Sequence, residues 1–146
     1  MQENAYREYF RFMEQLGSLL DELTELAREK TAAVRRDDLL AVDGCMKREQ
    51  ALSLSLRSMD KKRDKLLGEL GLKNVTLSGL AQQCPPELRL EAKEASEKLR
   101  DRYALYRSAA DVARTTLEFN LHQVEKILDD EAGASGVGGT IADIRA

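Results

Sequence analysis

A chain of 146 residues with a net charge of -3 is one domain's worth, with room for a moderate core but not for two independent ones. The charge is the small remainder of 23 basic and 26 acidic side chains mixed along the chain, so no strong field draws in nucleic acid or anionic lipid. Charged residues make up 34%, aromatics only 5%, Trp is absent, and the two prolines stand side by side at Pro85 and Pro86, which is helix composition.

The opening residues, Met1 to Glu8, mix charges of both signs and hold no apolar run, so they do not read as a signal peptide. Nothing later approaches the roughly 18 uncharged apolar residues of a membrane span. Cys45 and Cys84 stand alone, without CxxC or metal spacing, which fits a reducing compartment and makes the cytoplasm the expected location.

From Tyr9 onward the apolar positions run Tyr9, Met13, Leu16, Leu20, Leu23, Ala27 and Val34, a heptad seam interrupted only by Lys30. A second row, Phe12, Leu19, Leu26 and Ala33, widens the stripe, so this first helix faces more than one neighbour. Tyr6, Tyr9, Phe10 and Phe12 read as core closure at one end of a bundle. Arg35-Arg36-Asp37-Asp38 then breaks the pattern, with bases at a helix end and an Asp cap at the next start, the mark of a tight αα-hairpin.

The second helix carries Val42, Cys45, Leu52, Leu56, Met59, Leu66 and Leu70, with Glu49 and Arg63 in the remaining seam positions, and ends at Gly71. A connector follows to Cys84, with a short helix after Thr76 that buries Leu77 and Leu80. Pro86 suits the first turn of the third helix, which runs to about Asp130. Its seam holds Leu88, Ala92, Ala95, Leu99, Tyr103, Tyr106, Ala110, Ala113, Leu117, Leu121, Val124 and Leu128, and acids at its end oppose the dipole and favour fraying. The expected fold is therefore all-α, an antiparallel bundle of three long amphipathic helices made from a helical hairpin plus a long third helix. Residues 1–131 form the bundle and 132–146 a flexible Gly-rich tail. Leu16, Leu23, Leu52, Leu56 and Leu99 are its expected core.

At 1.5 Å per residue the third helix is roughly 65 Å long against roughly 50 Å for each hairpin arm, so one end must overhang. If the third helix starts near Tyr9, the overhang is its C-terminal part, and Leu121, Val124, Ile127 and Leu128 lack an intrachain partner. Periodicity does not fix the offset: a shifted connector would bury this end and leave the polar start protruding.

Catalytic chemistry is hard to assemble from these residues. The only histidine is His122, no serine sits in an elbow motif, and neither zinc nor di-iron ligand spacing occurs. Gly133 to Thr140 has the glycine spacing of a phosphate-binding loop, but Gly139 stands where its lysine belongs. The run Asp60-Lys61-Lys62-Arg63-Asp64-Lys65 interleaves acids and bases and reads as a solvated helix face. No enzyme, cofactor or metal is expected; binding another protein is.

Several stretches carry a family resemblance: Leu26-Ala27-Arg28-Glu29-Lys30-Thr31-Ala32-Ala33-Val34, the turn Asp37-Asp38-Leu39-Leu40, Lys47-Arg48-Glu49-Gln50-Ala51-Leu52, Lys65-Leu66-Leu67-Gly68-Glu69-Leu70-Gly71-Leu72, and Val124-Glu125-Lys126-Ile127-Leu128. Over Phe10 to Leu128 the chain resembles the FlgN family of flagellar export chaperones. The resemblance implies a chaperone that binds the C-terminal helical segments of hook-filament junction proteins, keeps them soluble and delivers them to the export apparatus. Leu117, Leu121, Val124, Ile127 and Leu128 are then the expected substrate face, with Ile141 and Ile144 of the tail as a lid or docking signal. The competing reading is a self-associating structural coiled coil, in which a second copy, as a homodimer, covers the same surface.

Overall fold

The computed structural model describes residues 2–135, which are all-α. Gln2–Arg35 form α1, Leu39–Glu69 α2, Leu77–Gln83 α3 and Arg89–Ser135 α4, with a 3-10 turn at Pro86–Leu88 leading into α4. Residues 136–146, and with them Ile141 and Ile144, lie outside the described residues. Helix α4 runs past the expected end at Asp130, so residues 132–135 of the expected tail are helical.

Local signals set each helix boundary. The N–H groups of Asp37 and Asp38 donate to the carbonyls of Val34 and Ala33 at 3.1 and 3.0 Å, closing α1 around a left-handed Asp37 at φ 56. The Asp38 carboxylate then accepts from the Ala41 N–H at 3.1 Å and caps α2. Helix α2 closes in the same way: Gly71, at φ 71, and Leu72 donate to Gly68 and Leu67 at 3.1 and 2.9 Å. The Thr76 hydroxyl accepts from Gly79 N–H at 3.1 Å and starts α3.

Helix α1 is the spine. Its buried side chains, Tyr6, Tyr9, Phe10, Phe12, Met13, Leu20, Leu23 and Leu26 among them, point in more than one direction, and both α2 and α4 pack along it. The N-terminal aromatics close the core against Leu66, Leu67 and Leu70 of α2, Leu80 of α3, and Leu88 and Ala92 at the start of α4. Pairs across the interfaces give the directions. Lys30–Glu49 at 3.1 Å and Arg48–Glu29 at 2.9 Å, with Arg63 Nε donating to Tyr9 OH at 3.4 Å, set α2 antiparallel to α1. Arg7–Glu91 and Lys98–Glu14, both at 3.2 Å, set α4 running in the same direction as α1.

Helices α2 and α4 lie on different sides of α1 and touch each other little. The expectation that Leu52 and Leu56 are core residues is therefore corrected. With one neighbour instead of two, both are only half-buried, and no side chain of α2 between Cys45 and Leu66 is buried. Leu23 and Leu99 are buried and Leu16 is half-buried against the core.

Arg102 holds α4 on α1. Its side chain crosses α1 at Gly17, where an added Cβ would collide with the guanidinium and with Cδ, and it pairs with Glu14 at 3.3 Å and Asp21 at 3.4 Å. Gly17→Val is expected to displace Arg102 and cost about 1–3 kcal/mol in urea unfolding. Gly44 has nothing within 4 Å of its added Cβ, so Gly44→Ala is expected to stabilise by about 0.4–1 kcal/mol through the unfolded state. The hydrogen bond from Lys98, aided by the charges of Arg102 and Lys98, holds the Glu14 carboxyl below its ordinary value of 4.5. A depressed carboxylate stabilises the fold above its unfolded value, and that contribution fades as pH falls through the folded one. Acid unfolding followed by circular dichroism should therefore show less loss below about pH 4.5 in Glu14→Gln than in the wild type.

Candidate partner-binding surface

The α1–α2 turn defines where the hairpin stops, and Asn120 marks that level on α4: its Nδ2 donates to Asp37 Oδ1 at 3.1 Å. Residues 121–135 continue α4 for about 22 Å beyond it. The offset follows from the connector, whose α3 and 3-10 turn pack on the start of α4 and bring Leu88 into one core cluster with Tyr6 and Tyr9.

On that extension Leu121, Val124 and Ile127 are 56%, 45% and 57% exposed, and Leu128 is half-buried. Their spacing puts Leu121, Val124 and Leu128 in one row with Ile127 beside it. Leu117, expected on the same face, is half-buried lower down, in the groove between α1, α2 and α4. It forms the inner end of the row rather than part of the extension.

That groove has no counterpart in the sequence-based expectations. It encloses about 150 Å³ and is lined by Leu23 and Ala27 of α1, Ser53 of α2, and Tyr106, Ala110 and Leu117 of α4. Lys30 and Glu49, paired at 3.1 Å with the Lys30 side chain 13% exposed, cross its floor. Burial, with the Glu49 and Tyr103 charges, pushes the Tyr106 hydroxyl above its ordinary pKa. The groove exists because α2 and α4 splay apart over α1. Its sequence signal was the pair of polar residues, Glu49 and Lys30, in otherwise apolar seams.

The remaining chemical groups are isolated. Cys45 and Cys84 are free and buried, and burial raises both thiols above their ordinary pKa. His122 is exposed. Among the described residues no three His, Cys, Asp or Glu side chains are placed to hold a metal ion, and no helix is long and apolar enough to cross a membrane.

A family model described as FlgN protein matches residues 1–130, nearly the whole described chain. The chain belongs to the FlgN family. FlgN-family proteins are known as flagellar export chaperones, a non-enzymatic class acting on flagellar export substrates. No curated protein and no solved structure matches the chain. The match stops before the end of α4, so residues 131–146 lie outside it.

Leu121→Glu is expected to change the stability of this FlgN-family chain by less than about 0.5 kcal/mol, because the side chain is exposed. Leu23→Ala, at 4% exposure, should cost about 2–5 kcal/mol in the same denaturation series.

Proposed function

We propose that this chain is a cytoplasmic export chaperone that binds the C-terminal helical segments of hook-filament junction proteins. The extension of α4 and the groove leading into it would be its receptor surface. The observation that carries the reading is the exposure of Leu121, Val124 and Ile127 on a helix that outruns its own hairpin, in a chain of this family.

The mechanism is helix-in-groove recognition. Three long helices form an unfinished bundle, and an amphipathic helix of the substrate lies along the Leu117, Leu121, Val124 and Leu128 row as the missing member. Each exposed apolar side chain it covers contributes roughly 1.5–3 kcal/mol. The covered substrate segment is then unavailable for aggregation, and the complex is delivered to the export apparatus.

A pull-down with light scattering tests this reading, with isolated C-terminal segments of hook-junction proteins added to the full chain and to Leu121→Glu. The expected result is a one-to-one complex that Leu121→Glu loses while remaining folded. No complex, together with a homo-oligomer that Leu121→Glu disrupts, would replace it with the self-associating coiled coil.

A further inference from the structure

A second apolar face lies on α4 away from the partner-binding row. Leu105, Val112 and Phe119 are 54%, 45% and 65% exposed and recur every seven residues. At about 100° per residue they stay within some 40° of one another, roughly a quarter-turn from Ala113, which is buried toward α1. They occupy one position of a heptad repeat, with the small residues Ala109 and Thr116 four residues after Leu105 and Val112, so a second helix can approach closely along this face.

Leu105 and Val112 form one wall of an open groove of about 360 Å³ whose other wall is α1, with Arg28, Ala32 and Arg35, and Phe119 continues the seam beyond it. The α1 flank is therefore basic. Among the described residues Arg28 pairs only with the exposed Glu25, at 2.7 Å, and Arg35 forms no ion pair. The opposite flank carries Asp111 and Glu118, one residue before Val112 and Phe119. Both lean on Arg114, at 3.3 and 4.0 Å, through exposed pairs of the kind that contribute little.

The register of these charges selects the occupant. Residues 84 apart sit level on α1 and α4, as Arg7 with Glu91 and Glu14 with Lys98. Arg28 is thus level with Asp111 and Val112, and Arg35 with Glu118 and Phe119. In a pair of chains related by a two-fold axis along α4, the basic flank of each copy faces the acidic flank of the other. Arg28 then meets Asp111 and Arg35 meets Glu118, twice over. An antiparallel pairing that sets Leu105 opposite Phe119 centres on Val112 and puts Arg28 against Arg28 and Asp111 against Asp111, which is unfavourable, while Arg35 comes level only with Asp21, an acid already held by Arg102 at 3.4 Å.

We propose that a second copy of this chain docks in parallel on Leu105, Val112 and Phe119, giving a homodimer that leaves the Leu121, Val124 and Leu128 row open on each subunit. Light scattering of the full chain over a concentration series should show the mass rising from one chain toward two. Phe119→Asp should hold it at one chain with unchanged helicity. Arg28→Glu should shift the midpoint to higher concentration, and Arg28→Glu with Asp111→Lys should bring it back. Under mild oxidation Leu105→Cys and Phe119→Cys should each cross-link to itself, since the native cysteines are buried. A one-chain mass at every concentration overturns the proposal, whether residues 136–146 or another protein then cover the seam. So does a dimer that survives Phe119→Asp and is lost in Leu121→Glu, and so does cross-linking only between Leu105→Cys and Phe119→Cys, which reports an antiparallel pair.

Discussion

Helix α1 buries side chains around most of its circumference, and each of the other two long helices is held through it. Tyr9, Phe12, Leu20 and Leu26 are almost inaccessible, whereas α2 has a long central stretch without one buried side chain. A helix apolar on so many sides is stable only when covered, so α2 and α4 are recruited to it from different directions. Because they meet α1 rather than each other, the bundle stays open along one side, and that opening is the groove lined by Tyr106, Ala110 and Leu117.

The second constraint is the relative offset of α1 and α4. The buried aromatics at the start of α1, gathered with Leu80 and Leu88, pin the connector to one end of the molecule. Arg102, lying across Gly17 between Glu14 and Asp21, then fixes α4 along α1. Both helices start level, and α4 is longer, so its surplus projects past the turn at Asp37. The apolar seam that packs on α1 lower down continues into that surplus, and Leu121, Val124 and Ile127 are exposed for that reason.

Much of this was legible in the sequence. Asp38 and Thr76 as caps, Gly71 as a helix terminator and the burial of Tyr6, Tyr9, Phe10 and Phe12 follow from local chemistry, which periodicity and residue type report well. The half-burial of Leu52 and Leu56 did not follow, because a heptad seam looks the same whether one neighbour or two cover it. The offset was equally hidden: it depends on how the connector folds, and residues 72–88 carry no period from which to compute it. The row Leu105, Val112 and Phe119 is a seven-residue repeat in the sequence, hidden beside the longer seam that runs from Leu88 to Leu128.

The proposed function requires α4 to be held by α1 up to the level of Asp37 and its extension to be held by a partner instead. Amide hydrogen exchange read along α4 tests that most directly, since protection reports local opening. Strong protection from Ala92 to Ala113, fast exchange from Leu121 to Asp130 in the free chain, and slowing of that second stretch when a hook-junction C-terminal segment is added is the result the account requires. Equal protection of both stretches in the free chain at low concentration, unchanged by the segment, would contradict it.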